Sequence, residues 1–300
     1  MRRARTGNRT RDNLSKPGRT AKIETPQTPP PPQPPLYDAV TGGRLFIGTS
    51  GWRYASWRSD FYPKGLVQRR ELEYLASRMN SVEINGSFYS LQRPESYERW
   101  RDATPEGFRF AVKGGRFITH MVGPDRLHEA LERFFGSGVF LLGDRLGPLL
   151  WQFPKTRTFD AERLEMFCAA LPRDHDGRRI NHAIEPRHAS FSDPRATEIL
   201  RAYGVALVVS DGAGEWPLFL QEDLATDATS DVVYVRLHGP EKLYYGGYSD
   251  SQLREWASVI RDLATRGRSD APRDAYVYFD NDADGRAPFD AIALADTLTA

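Results

Sequence analysis

A closed (β/α)8 barrel of the TIM type, an α/β fold behind a disordered N-terminal extension, is the architecture this sequence predicts, and three observations predict it. About eight short β-branched or aromatic runs alternate with helix-like stretches from residue 44 to the end of the chain. Their inward-facing positions turn polar at one end. No dinucleotide fingerprint follows the first run, which removes the main support for an open, doubly wound sheet.

Residues 1–43 combine Arg, Gly, Asn and Thr with a proline run at 29–35 that only Gln33 interrupts, and they offer almost nothing apolar to anchor a core. They read as a basic, Pro-rich disordered extension. Eight Lys or Arg and one acid fall in residues 1–22, a net of +7, which leaves −6 for the remainder of a chain whose total is +1. A negatively charged body argues against nucleic acid as the barrel's partner, leaving at most a weak contact through the basic tail. The start lacks the apolar core of a secretory signal, a transit peptide is the lesser reading of its arginines, and the cytoplasm is the expected compartment.

Residues 44–300 make the expected barrel domain. Its strands fall at 45–50, 81–85, 108–113, 149–152, 182–185, 205–211, 232–238 and 275–280. Helices are expected at 69–79, 124–135, 161–171, 194–203 and 250–265, with Pro124 and Pro194 in first turns. Ser192 or Asp193 and Ser249 or Asp250 are the N-cap candidates. Strict alternation demands parallel strands with helical crossovers, and eight of them suit a closed barrel. The hydrophobic fraction of 40% is ordinary for a globular protein, and no apolar run approaches the roughly 18 residues of a membrane span, so a soluble protein is expected. The single cysteine, Cys168, sits in an apolar stretch and reads as a small buried hydrophobe.

Side chains on a barrel strand alternate between the helix layer and the interior, so the polar residues that point inward can be read from parity. Tyr234, Arg236 and His238 share one face of the seventh strand, Glu83 and Asn85 one face of the second, and Arg109, Ala111 and Lys113 one face of the third. Gln152 ends the fourth, Glu185 with Arg187 and His188 the fifth, Ser210 and Asp211 the sixth, and Asp280 with Asn281 the eighth. The opposite barrel end shows no such accumulation. Any one of these is equally a structural ion pair, but seven strand ends turning polar on the side where barrel enzymes work point to a functional pocket.

Arg236 and Arg187 are candidates for gripping an anionic group with their forks, and Lys113 is a third cation. Glu83 or Glu185 would move protons, with His238 or His188 titrating near neutrality and Asp211 as a further carboxylate. Asn85, Gln152, Tyr248, Asp280 and Asn281 complete the expected ligand contacts. A metal reading draws on Glu185, Asp211, His238 and Asp280, although Arg236 and Arg187 would oppose the cation. Aromatic rings at Trp52, Tyr54, Phe88, Tyr89, Tyr244, Tyr245 and Tyr248 suit stacking on a sugar or base, whereas Trp57, Phe61 and Tyr62 suit packing. The Gly-hinged segment 244–248 reads as a lid. Thr119 and His120, beyond the third strand, are equally placed to cap or orient their loop.

These segments resemble the DUF72 (YecE-like) family. The resemblance rests on IGTSGW at 47–52 with Trp57 and FYP at 61–63, VEIN at 82–85 with Phe88 and Tyr89, and FAVK at 110–113 with Thr119 and His120. It continues through LGPLLWQFP at 146–154, Glu185 with Arg187 and His188, VRLHG at 235–239 and YVYF at 276–279, in order from about Leu45 to Leu298. It implies a TIM-type barrel and, the family being named for its unknown function, no activity. Three positions depart from the family pattern: Pro186 and Phe191 stand where the family carries an aromatic residue and a Trp, and Asp280 replaces an Asn. Pro186 is expected to bend the strand end and displace Arg187. Asp280 adds a charge that would alter ligand preference.

The expected function is acid/base catalysis on a small polar, anionic substrate, carbohydrate-like or nucleotide-derived. The alternatives are a non-catalytic binding or adaptor protein that uses the pocket and the Pro-rich tail, and a metal-dependent sugar isomerase or hydrolase. The residues name no cofactor, and the only partner they specify is a small-molecule ligand.

Overall fold

Eight strands run parallel around a barrel: β1 (Arg44–Ser50), β2 (Ser81–Ile84), β3 (Arg109–Lys113), β4 (Leu146–Gln152), β5 (His182–Glu185), β6 (Ala206–Leu207 with Val209–Asp211), β7 (Val232–Leu237) and β8 (Asp274–Phe279). The computed structural model describes residues 37–38, 43–121, 123–220, 228–265 and 271–299. Of the expected extension, only Gly43 and Tyr37–Asp38, a two-residue strand antiparallel to β1, fall within them; the rest of 1–43 lies outside the described residues.

Each strand pairs with the next in sequence, and β8 pairs with β1. Closure passes through β6, which meets β5 by its first segment and β7 by its second. Between the segments, Val208 still donates to the Ile184 carbonyl at 2.9 Å, so the break is a local shift of register in a single strand. Strand ends differ from expectation by a residue or so, except that β4 begins three residues early, at Leu146.

Eight α-helices are described: α1 (Glu71–Ala76), α2 (Gly86–Tyr89), α3 (Pro94–Asp102), α4 (Leu127–Phe135), α5 (Ala161–Ala170), α6 (Pro194–Tyr203), α7 (Asp250–Thr265) and α8 (Ala287–Thr299). The five expected helices are all present, although 69–79 shortens to α1 behind a 3-10 turn at Gln68–Arg70. Asp193 caps α6 by accepting from Arg195 N at 3.0 Å, and the Ser249 hydroxyl accepts from Gln252 N at 3.3 Å ahead of α7. α2, α3 and α8 come in addition to the five helices that the sequence predicts. Pro94 in the first turn of α3 was a usable signal. In α8, alanines placed all round weaken the periodicity, and Ala287, Ala291, Leu294, Ala295 and Leu298 are all buried.

Parity separates two cores. Outward-facing Ile47, Val82, Ile84, Val233, Val235 and Leu237 pack with the helices. Inward-facing Phe46, Ala111, Leu150, Ala183, Val208, Tyr234, Tyr276 and Tyr278 fill the interior. At Gly48 a Cβ would run into the Ser81 carbonyl, so the close approach of β1 and β2 depends on the glycine.

The N-terminal barrel end corrects one expectation, because it too gathers charge. Arg44, Arg109, Arg178, Arg179, His175 and Asp274 are among the residues around a 430 Å³ cavity there. Arg178, Arg179 and His175 come from the turn before β5 and lie outside the strand parity that the sequence reading followed. Most of this charge is paired, Arg44 with Asp274 at 2.7 Å and Arg178 with Asp144 at 2.9 Å. No helix among the described residues is long and apolar enough to cross a membrane.

Candidate functional site

The top interior layer takes one polar side chain from each strand: Ser50, Glu83, Lys113, Gln152, Glu185, Ser210, Arg236 and, just past β8, Asp280. All but Asp280 are buried, and the Asp280 side chain is 14% exposed. Arg236 is the hub. Its Nε and Nη2 donate to the two Glu83 oxygens at 3.1 and 2.8 Å, and Nη2 also reaches Asp280 at 2.9 Å and the Ser50 hydroxyl at 3.1 Å. Nη1 donates to Glu185 at 3.0 Å and to His238 Nε2 at 2.7 Å. Every donor of the guanidinium is thereby spent within the chain. The expectation that Arg236 offers its fork to a ligand anion is corrected for this arrangement, because three protein carboxylates already occupy it.

Burial pushes the Glu83 and Glu185 pKa values up, but neighbouring cations, Arg236 among them, outweigh it and hold both groups below the ordinary carboxylate range. Both are therefore ionised at neutral pH, and their lone pairs are heavily used. Glu83 also accepts from Ser50 at 2.5 Å and Tyr234 at 2.6 Å, and Glu185 from Ser210 at 3.0 Å.

His238 does not titrate near neutrality, contrary to expectation. Its Nε2 accepts from Arg236, and its Nδ1 lies 2.9 Å from the Asp211 carbonyl, which can only accept, so the ring is the neutral Nδ1–H tautomer. Burial and then Arg236 hold its pKa well below the ordinary value. His188 has a local role: its Nδ1 accepts from Ser190 N at 3.2 Å and caps the 3-10 turn Ala189–Ser192.

Parity also separates residues that the sequence reading grouped together. On β6 the inward position is Ser210, while Asp211 binds the loops outside the interior layer, accepting from Tyr248 Oη at 3.0 Å and Ala213 N at 3.1 Å. Past β8, Asp280 meets Arg236, whereas Asn281 donates to the Gly246 carbonyl and to Asp290, both at 2.7 Å. Tyr248 is buried and fixed to Asp211 and Gly239 N, so it anchors the 244–248 segment rather than facing a ligand. Asn85 donates to the Ser50 hydroxyl at 2.6 Å, and its own carbonyl oxygen is buried without a hydrogen-bond partner among the described residues. Beside this layer Asp282 is buried, and burial and then Asp280 raise its pKa well above the ordinary carboxylate value.

Arg187 folds back along Glu185 past Pro186, donating through Nε and Nη2 at 3.1 and 2.9 Å. Its guanidinium lies 3.9 Å from the ring centre of Trp216, whose Nε1 donates to Ser210 at 3.0 Å and whose ring stands edge-on to His238. Trp216 was missed because it sits in an irregular loop after β6, where neither parity nor periodicity applies. Trp57, Phe61 and Tyr62 pack together as expected, and Trp52 and Phe88 are buried as well, leaving Tyr89, Tyr244 and Tyr245 as the exposed rings of the aromatic set.

Lys113 is different from the other cations. Its Nζ has no hydrogen-bond or ion-pair partner among the described residues, lies 4.3 Å from the Phe88 ring centre, and belongs to a residue only 7% exposed. Burial and then Arg236 lower its pKa to about 8. Farther out, His120 lines a 260 Å³ recess with Thr119, Pro154 and Arg157. Its pKa falls to about 4 through burial and then Arg116, Lys113 and Arg187, which marks this side of the mouth as electropositive.

The metal set does not converge. Arg236 stands between Glu185 and Asp280, the His238 lone pair is taken, and Asp211 faces Tyr248; among the described residues no three His, Cys, Asp or Glu are placed to hold an ion.

The model of a family described as "Protein of unknown function DUF72" matches residues 46–300. The chain is 27% identical over 271 residues to the UPF0759 protein YunF of Bacillus subtilis, covering 81% of this chain and 90% of that one. It is 28% identical over 148 residues to the UPF0759 protein YecE of Escherichia coli K12, covering 49% and 50%. Among solved structures, a DUF72 family protein of Thermotoga maritima (TM1631) superposes with a TM-score of 0.70 at 26% identity, covering 85% of this chain and 98% of that one. One from Enterococcus faecalis (EF0366) matches in fold with a TM-score of 0.70 at 19% identity, covering 85% and 96%.

Proposed function

Because the chain belongs to the DUF72 family, whose description leaves function open, its chemistry must be read from its own barrel mouth, and we propose that it is an enzyme that binds a small polar anion there and acts on it by proton transfer. The observation that carries this reading is the uneven commitment of the cations. Arg236 is saturated, whereas among the described residues Lys113 Nζ has no hydrogen-bond or ion-pair partner and Arg187 Nη1 has none either. Substrate anion binding thus moves outward from Arg236 to Arg187 and the electropositive rim near His120. Lys113, its pKa lowered to about 8, is the acid/base group of this reading, and Glu83 and Glu185 act as fixed charges that hold Arg236 in place. Asp280 stays a candidate proton donor, since burial raises its pKa. Carbohydrate-like acids and phosphates or nucleotide-derived anions fit this arrangement. A cytoplasmic setting suits a chain whose single cysteine, Cys168, is a buried free thiol.

The near-complete burial of Arg236, Glu83 and Glu185 favours a second reading, a binding protein whose central cluster is purely structural. A thermal-shift screen of the full chain against sugar acids, sugar phosphates and nucleotides separates the two when followed by turnover assays. Saturation at 100 times the dissociation constant adds about 2.7 kcal/mol of stability. An anion-dependent shift that disappears in Arg187→Ala supports the mouth site. A screen without any shift, or one unaltered by Arg187→Ala, removes it, and binding without turnover leaves the second reading.

A further inference from the structure

Lysine is sparse here: the chain has six, at 16, 22, 64, 113, 155 and 242. Among the described ones, Lys64, Lys155 and Lys242 are exposed, with Lys155 paired to Glu215 and Lys242 lying over the Tyr245 ring. Lys113 alone of these is buried, and it is buried beside carboxylates that do not pair with it, since Glu83, Glu185 and Asp280 all turn to Arg236. A lysine needed only for structural neutralisation would be ion-paired. One placed inward at the C-terminal end of a barrel strand, against an aromatic ring and near a permanent cation, has the surroundings that make an amine nucleophilic.

We propose that Lys113 is a covalent nucleophile: its Nζ, unpaired at the end of β3 between Phe88 and the Arg236 cluster, condenses with the carbonyl carbon of an aldehyde or ketone substrate to form an imine. The Nζ lone pair forms the C–N bond while the carbonyl π electrons pass to oxygen, and a proton moves from nitrogen to that oxygen, giving a neutral carbinolamine. The carbinolamine hydroxyl takes up a proton and leaves as water as the nitrogen lone pair closes the C=N bond. Amine, carbonyl and that proton thus give a protonated imine and one water, with no oxidant or reductant. Asp280, held above its ordinary range by burial, is a nearby source of that proton. The protonated imine withdraws electrons from the adjacent carbon and acidifies its C–H, which supplies the substrate class, a hydroxy- or oxo-substituted carbonyl compound; with Lys113 held in the imine, the Asp280 carboxylate left by that protonation is the base for the proton transfer proposed above. The inference rests on the mouth being the active site. It does not depend on the substrate being anionic.

Borohydride trapping of the full-length protein tests it, with pyruvate as an anionic carbonyl probe, dihydroxyacetone as a neutral one and lactate as an anion lacking the carbonyl. The expected result is a reduced adduct mass on the Lys113 peptide with at least one carbonyl probe, ahead of Lys64, Lys155 and Lys242, and absent from Lys113→Arg. Protection by lactate would uphold the anion site as well. An adduct formed with dihydroxyacetone and unaffected by lactate would keep the imine and remove the anion reading. Labelling of Lys113 no faster than of the exposed lysines overturns the proposal, whether or not lactate shifts the melting temperature.

Discussion

Arg236 Nη1 donates to His238 Nε2 at 2.7 Å, from a residue two positions away on the same face of the barrel wall. Guanidinium does not deprotonate in proteins, so the imidazole nitrogen must accept, and the proton belongs on Nδ1 against the Asp211 carbonyl. Side-chain nitrogen NMR is expected to show His238 as the neutral Nδ1–H tautomer throughout the range from about pH 5 to 8 where histidines ordinarily titrate. A resonance that moves to the imidazolium position in that range would return His238 to the list of acid/base groups.

Replacing the hub exposes the cost of the cluster. Arg236→Met leaves Glu83 and Glu185 buried and without their shared cation, and breaking such a pair costs about 3–5 kcal/mol. Urea unfolding should show that loss in the midpoint at neutral pH. The loss should shrink on acidification, because without Arg236 the two carboxyls can be protonated, whereas in the parent protein the same cation keeps them ionised to lower pH. A neutral-pH loss below about 1 kcal/mol would mean that the cluster relaxes and rehydrates.

His182 sets an acid limit on stability. Its Nδ1 accepts from Trp151 Nε1 at 3.1 Å and its Nε2 donates to the Pro172 carbonyl at 2.6 Å, so the buried ring is neutral and its pKa drops through burial to about 4 from 6.5. Between those values the unfolded chain binds the proton and the folded one does not, so stability falls as pH falls through the window. The size of this contribution is about 3 kcal/mol. In His182→Gln the stability curve from pH 6.5 to 4 should be correspondingly flatter. An unchanged slope would show that other groups govern the acid limb.

Lys113 acts in the opposite pH range. Its pKa is lowered to about 8 from 10.5, so between those values the unfolded chain holds a proton that the folded one has lost, and stability from this group rises with pH across the window. Against Lys113→Met, the parent protein should be less stable at pH 7, and the difference should close by about 3 kcal/mol as pH rises to about 10.5. A pH-independent difference would show that Lys113 is solvated and charged throughout.

The sequence by itself determined the barrel, the order of its strands and the identity of most interior polar residues. Strand parity is a local property, and Glu83, Lys113, Gln152, Glu185 and Arg236 could be placed inward from their neighbours alone. The same rule separates Ser210 from Asp211 and Asp280 from Asn281, since adjacent residues on a strand face opposite ways. Only the tertiary structure decided who pairs with whom. The three carboxylates that claim Arg236 come from β2, β5 and the end of β8, nearly 200 residues apart at the extremes, and Lys113 is left over because all three turn to Arg236. That competition leaves His238 neutral, spends the Arg236 fork and isolates Lys113. Burial and Coulomb interactions, which depend on three-dimensional separation and exclusion of water, set those states, and the order of residues along the chain carries neither quantity.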